Sequence, residues 1–329
     1  MKILSNKAVI NQPLVSVIIP AYNAERYIDE ALHSIFGQTY PKIEIIVVDD
    51  GSSDRTGEIL ASYQPRVKCI TQRNGGGYPG SPRNTGLNHC QGDLICFLDA
   101  DDIMRSTRVE MQVNFLLEHP QVGVVFTDYQ NFSDSGAFEK THFQTCLNLW
   151  DRLKDHSDLA LDSATATALL IQENIGLPSS MMIRRKVLDI VPIFSTAFQI
   201  GEDFHFYYRI ARVFSVGVIN RVGADRRMHN NNITKNAIRV LHNCAMSRAD
   251  LWKTESNREN LKLLNEYLFL SEINLAYAYA NQRNIRQSLS HNFRALTIFS
   301  RKNLKNVFLS LRAMLRTAAI AAHIKAPSA

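Results

Sequence analysis

Residues 93–102 read DLICFLDADD: an apolar run that ends on three carboxylates within four positions, Asp99, Asp101 and Asp102. The run is apolar at consecutive positions rather than at alternate ones, the pattern of a strand buried on both faces of a parallel sheet. One acid at a strand end serves as a turn residue or helix cap. Three crowded carboxylates repel one another unless a cation or a set of hydrogen-bond donors compensates them. A D-x-D pair at the end of a buried strand suits Mg²⁺ or Mn²⁺, hard ions that accept few protein carboxylates and complete their shell with water and phosphate oxygens.

Further Val- and Ile-rich runs occur at VSVIIP (15–20), IEIIVVDD (43–50), RVKCITQ (66–72) and VGVVFTDY (122–129). Helical patterns separate them. In NAERYIDEALHSIFGQ, Asn23 is positioned to cap, and Ile28, Ala31, Leu32 and Ile35 form one apolar face. In SPRNTGLNHC, Ser81 is the expected N-cap and Pro82 the first helical residue. The alternation predicts an α/β fold, a mainly parallel sheet flanked by helices, with ligands outside the carboxyl ends of the strands. Acids fall there twice more: Asp49 and Asp50 end the second strand, and Glu202 and Asp203 open a helix-like segment, EDFHFYYR. The pattern is irregular from about 133 to 237, and largely helical beyond 238.

The five cysteines contain no C-x-x-C pair, which fits reduced, small core residues rather than a metal or redox centre. The N-terminal apolar run is too short and interrupted for a signal peptide, and no run approaches the ~20 residues of a membrane-spanning helix. A cytoplasmic location is therefore expected. The net charge of +6 is unevenly placed: nine basic residues and no acidic one follow Glu272, so the preceding chain is net negative. Near the end, Leu304, Val307, Phe308, Leu311, Leu315 and Ala318 share one helical face flanked by Lys305, Arg312 and Arg316. Such a helix either meets the inner face of an anionic membrane as a peripheral anchor or packs on the body of the protein. Aromatic-interleaved basic motifs and zinc spacings are missing, so no nucleic-acid partner is expected.

VSVIIPAYNAERYIDEALHSIFGQTY, IEIIVVDDGSSDRT, SPRNTGL, GDLICFLDADD and GEDFHFYYRIAR together resemble, in order and spacing, the motifs of family-two inverting glycosyltransferases with the GT-A fold. The resemblance covers roughly residues 14–235. It implies a GT-A nucleotide-diphospho-sugar transferase domain over 1–237, with a nucleotide-binding half to about 130 and an acceptor half to 237. A helical, basic C-terminal extension would occupy 238–329.

The resemblance further implies that Pro20, Ala21, Tyr22 and Asn23 cradle the base and ribose of a nucleotide sugar. Asp49 or Asp50 would accept from the base, and Arg83 and Asn84 would serve the base edge or the diphosphate. Within the D-x-D segment, Asp99, Ala100 and Asp101, the first acid would hold the ribose and the second the metal, Mg²⁺ or Mn²⁺. His229 would complete the metal or diphosphate site, with Arg226 and Arg227 beside it. Asp203 would be the catalytic base that deprotonates an acceptor hydroxyl, Glu202 orienting the acceptor. The donor implied is a nucleoside-diphosphate sugar, UDP-sugar favoured, and the acceptor a glycan or lipid-linked glycan of cell-surface polysaccharide synthesis. The chain departs from the family in reading Pro82-Arg83-Asn84 where relatives carry Ala-Arg-Asn, after a longer, glycine-richer loop.

That loop, NGGGYPGSPRNTG (74–86), spells G-x-G-x-x-G through Gly75, Gly77 and Gly80, with Asp99 about twenty residues on, as in a dinucleotide fingerprint. A nicotinamide-dependent oxidoreductase is the alternative this spacing raises, and a non-catalytic binding protein on a degenerate transferase fold is the other. The loop, however, follows the third strand rather than the first, whose own loop, PAYNAERY, has no glycine. Its expected task is a tight turn close to the donor that delivers Arg83 and Asn84.

Overall fold

The apolar runs form strands where the pattern places them. In the computed structural model, which describes residues 12–298 except 75 and 231 together with 312, 315, 317 and 320, β1 (Val15–Ala21), β2 (Ile43–Asp49), β3 (Lys68–Thr71) and β4 (Leu94–Phe97) lie parallel. They are connected through α1 (Ile28–Phe36), α2 (Thr56–Ser62) and α3 (Gly80–His89). Next come β5 (Ile103–Met104), α4 (Arg108–Glu118), the long β6 (Val122–Ser133), β7 (Gly136–Ala137), α5 (His142–Thr145) and α6 (Leu147–Leu153). The chain continues through β8 (Asp158–Leu161), α7 (Ser163–Gln172), β9 (Met181–Arg184), α8 (Glu202–Ala211) and β10 (Ser215–Arg227). Three helices follow, α9 (Ala237–Thr254), α10 (Arg258–Asn281) and α11 (Ile285–Ile298).

Among the described residues the strands make one ten-stranded sheet whose main path is β3-β2-β1-β4-β9-β6-β10-β5. The parallel half is interrupted by β9, which runs antiparallel between β4 and β6. Helices cover both faces, so alternate residues of one strand enter different cores. Ile18, Ile46, Val48 and Phe97 pack on one side, and Val17, Ile19, Val47 and Cys96 on the other. This double burial explains the unbroken apolar runs. The fully buried Arg108 ties the end of β4 to β9, donating to the carbonyls of Phe97 (3.2 Å) and Met181 (2.8 Å).

Two expected helix starts are corrected. α1 buries Ile28, Ala31, Leu32 and Ile35 as its pattern requires, but it begins at Ile28 and has no side-chain cap. Asn23 instead adopts φ 48° and accepts from the Ser53 amide at 2.8 Å, bracing the loop after β2. α3 begins at Gly80 rather than Pro82: Ser81 lies inside the helix and its hydroxyl accepts from Gln72 at 3.2 Å instead of capping.

α9 packs on α8, and α10 on α7 through Asn260, which donates to Thr167 at 3.2 Å. No described helix is long and apolar enough to cross a membrane. Of the basic apolar stripe near the C-terminus, Leu304, Lys305, Val307, Phe308, Leu311, Arg316 and Ala318 lie outside the described residues, as does the N-terminal segment before residue 12. Leu315 is helical and 70% exposed, whereas Thr317 is buried and pairs with Ser288 of α11 at 2.7 Å.

Candidate active site

The loops that leave the carboxyl ends of β1, β2 and β4 converge with the start of α8 and the end of β10 on one cleft of about 670 Å³. Pro20, Ala21, Tyr22 and Asn23 line it, and Tyr22 leaves half its surface exposed. Asp50 also lines the cleft and accepts from Gln72 at 2.5 Å. Asp49, turned the other way by the strand's two-residue period, accepts from the Ser52 amide at 3.0 Å. Of the two acids left open by the sequence, Asp50 is the one that faces the cleft.

The three acids after β4 separate into different environments. Asp102 is buried, accepting from Ser179 Oγ at 2.6 Å and from the Arg227 amide at 3.0 Å. It joins β4 to β10, and burial with the charges of Asp101 and Asp99 pushes its carboxyl well up. Asp99 receives Arg83 Nη2 at 2.7 Å. Asp101 meets His229 Nε2 at 2.8 Å and is partly exposed to the cleft. Burial, then the charge of Asp99, pushes the Asp101 carboxyl up, and His229 pulls it back. His229 is stacked on Tyr27, ring centroids 5.1 Å apart. Arg227 supports this corner: it donates to the Asp101 carbonyl at 3.0 Å, pairs with Glu30 at 2.5 Å and lies over the Tyr27 ring.

Both Nη groups of Arg83 and the side-chain amide of Asn84 are engaged within the protein, and Arg83 Nε is buried without a partner. Arg83 is buried, its fork divided between Asp99 and Glu202, the latter at 2.6 Å. The physical reason is local charge: withdrawn carboxylates need a withdrawn cation. The guanidinium thereby ties the end of β4 to the start of α8. Asn84 turns its amide to the Phe194 backbone, donating to the carbonyl at 2.8 Å and accepting from the amide at 3.1 Å.

Glu202 and Asp203 open α8 behind Gly201, whose φ of 83° is left-handed. Glu202 is pushed up to about 8 by burial and the charge of Asp203, against the pull of Arg83. Asp203 lines the cleft and makes no ion pair among the described residues; burial pushes its carboxyl above the usual range. A carboxylate with these properties accepts a proton more readily than a solvated one.

Sequence reasoning missed the remaining wall. Leu170 and Asn174 from the α7 region, Gln199 before α8, and Val240, Cys244 and Arg248 from α9 all line the cleft. None sits in a recognisable motif, and the period of α9 shows only that one face packs. In the glycine loop, Gly76 and Gly77 have φ of 93° and 76°, Gly77 borders the cleft, and Gly75 lies outside the described residues. The loop is a turn after β3, as expected, and no dinucleotide cradle follows β1.

The family model described as "Glycosyl transferase family 2" matches residues 16–191. An uncharacterized glycosyltransferase of Rickettsia felis (strain ATCC VR-1525 / URRWXCal2) is 27% identical over 264 residues, 79% of this chain and 42% of that protein. The putative teichuronic acid biosynthesis glycosyltransferase TuaG of Bacillus subtilis (strain 168) is 37% identical over 129 residues, 38% of this chain and 50% of that protein. The matched regions thus span half or less of these two relatives. The structure of S. aureus TarS 1-349 in complex with UDP-GlcNAc superposes with a TM-score of 0.67 at 18% identity, covering 93% of this chain and 89% of that one. This likeness shows a shared GT-A transferase fold.

Proposed function

The chain belongs to glycosyl transferase family 2, and on that premise we propose that it transfers a sugar from a nucleoside-diphosphate sugar, UDP-sugar favoured, to a hydroxyl acceptor with inversion. The observation that carries this reading is Asp203, a half-buried carboxylate at the cleft without an ion pair among the described residues. It takes the proton of the acceptor hydroxyl as the oxygen attacks the anomeric carbon in line with the departing diphosphate. Tyr22 offers a ring for the base, and Asp50 an acceptor for its imide. Glu202, held by Arg83, fixes the start of α8 and so the position of Asp203.

The residues at the D-x-D corner fit a divalent cation. Asp101 and His229 would hold it, an oxygen and a nitrogen donor facing the cleft, which Asp99, Asp102, Glu202 and Asp203 also line. Two protein donors would leave the rest of the shell of Mg²⁺ or Mn²⁺ to a diphosphate and water, although among the described residues no group of three or more His, Cys, Asp or Glu side chains is arranged to hold a metal. When bound, such an ion stabilises the charge growing on the leaving nucleoside diphosphate.

The name of TuaG and the UDP-GlcNAc bound to TarS favour a UDP-sugar donor and a surface-glycan acceptor. Residues 1–237 would form the transferase domain and 238–329 its extension. That extension would reach a lipid-linked acceptor at the inner face of a membrane: α11 exposes Leu289, Phe293 and Leu296, and no acidic residue follows Glu272. A panel of nucleotide sugars assayed for metal-dependent donor hydrolysis tests the reading without knowledge of the acceptor. Binding of NADH in place of UDP and Mn²⁺ would reject it.

A further inference from the structure

Among the described residues four arginines line the cleft, and of these Arg83 alone forms ion pairs, with Asp99 and Glu202. Arg226 donates to Thr234, and Arg26 lies over the Tyr27 ring. Arg248, on α9, lines the cleft with Val240 and Cys244 and is set apart by its place beside Phe204, the residue after Asp203. Its Nε is buried without a hydrogen-bond partner, and its guanidinium lies 5.3 Å from the centroid of the Phe204 ring. The Cys244 thiol, one turn earlier, is pushed up by burial and pulled back by this same cation. The half-buried guanidinium has no ion-pair partner among the described residues, and an anion bound in the cleft would supply the missing counter-charge.

The position of Arg248 relative to Asp203 is set by contacts between α9 and the start of α8. Asn243 Oδ1 accepts from the Gln199 amide at 3.1 Å, and Asp250 meets His205 at 3.1 Å. Between them, Ser247 packs where a Cβ on Gly201 would point, at 3.2 Å. Phe204, under the guanidinium, directly follows Asp203 in the chain. The cation is therefore held in fixed relation to the base, the arrangement that positions a reactant rather than merely attracting it.

On the transferase reading above, we propose that Arg248 is the anion-binding residue of the acceptor subsite. The acceptor is an acidic one: its hydroxyl meets Asp203 while a phosphate or carboxylate of the same molecule sits on the Arg248 guanidinium. Ile200, Phe204 and Val240 form the apolar surroundings that strengthen the pair.

The test titrates the full chain with glycerol 1-phosphate, glucuronate and glucose, each with and without UDP and Mn²⁺, by calorimetry. The anionic probes should bind more tightly than glucose, and comparison of the two separates phosphate from carboxylate. Arg248→Gln should weaken anion binding about tenfold or more, as loss of a charge-assisted hydrogen bond does, and Arg248→Lys should retain part of it. UDP affinity should be unchanged in both variants. Arg248→Gln should melt no lower than the parent, because it removes an unpaired cation rather than half of an ion pair. Equal affinity for the three probes, or a parallel loss of UDP affinity that would place Arg248 on the donor diphosphate, overturns the proposal. The nucleotide-free titrations examine the anion site by itself, so failure of the parent chain to bind UDP would count against the transferase reading alone.

Discussion

The two halves of the cleft are built differently. The half at the ends of β1, β2 and β4 comes from short loops whose polar side chains answer one another: Asp101 with His229, Asp99 with Arg83, Asp50 with Gln72. In the half formed by α8 and α9, Asp203 and Arg248 make no ion pair among the described residues, whereas a buried Nε without a partner occurs in both halves, on Arg83 and on Arg248. Satisfied groups hold a shape, whereas unsatisfied groups carry an excess free energy that a reactant or ligand relieves. On the function proposed above, the first half would hold the donor and the second would serve chemistry and the choice of acceptor.

The sharpest test of that division is Asp203→Asn. Transfer should fall by about 10²–10⁴, the usual contribution of a general base, while UDP binding measured by calorimetry stays near the parent value. Full transfer by this variant would remove the distinction between the halves. In the parent, transfer should rise with pH through a midpoint above that of a free aspartate, because only the ionised base accepts a proton and burial has pushed Asp203 up. The same raised group lets the native state keep a proton that the unfolded chain has already released. Its contribution to stability is therefore complete below the ordinary aspartate pKa and is lost as pH rises through the native value, which urea midpoints across that window would show.

Arg83→Met strikes the joint between the halves. It leaves Asp99 and Glu202 withdrawn without their cation, and denaturation should reveal a loss of about 3–5 kcal/mol. A loss close to zero would mean that the two halves are held by packing alone. Asp101→Ala should weaken metal-dependent UDP binding about tenfold or more while leaving metal-free UDP binding little changed. Equal binding with and without Mn²⁺ in the parent would remove the metal role of Asp101 and His229. The smallest effect is expected from Gly201→Ala. The residue sits at φ 83°, so a Cβ costs about 1 kcal/mol, and crowding of Ser247 should disturb transfer more than UDP binding.

The legibility of the molecule follows the same division. β1, β2 and β4 were readable because burial on two faces leaves an unbroken apolar run, and the DADD segment because three acids in four positions are hard to explain by capping. Asn23 and Pro82 misled for the opposite reason. Capping preferences describe an isolated helix, whereas the loop after β2 claimed the Asn23 side chain and Gln72 claimed the Ser81 hydroxyl. Arg83 was readable as a site residue but not as a bridge, since its partner Glu202 lies 119 positions away. β9 carried no usable signal: four residues, MMIR, give no period, and their place between β4 and β6 is a matter of topology.

The sequence by itself determined the layered α/β architecture, the strand ends at which acids gather and the family to which the chain belongs, because these rest on local periodicity and on motifs a few residues long. Tertiary structure alone decided which acid faces the cleft at the end of β2, that Asp102 binds β10 while Asp101 meets His229, and that α9 closes the cleft with Arg248. Those outcomes depend on which distant groups share a low-dielectric space, and there the presence or absence of a partner, rather than residue type, sets charge, pKa and role.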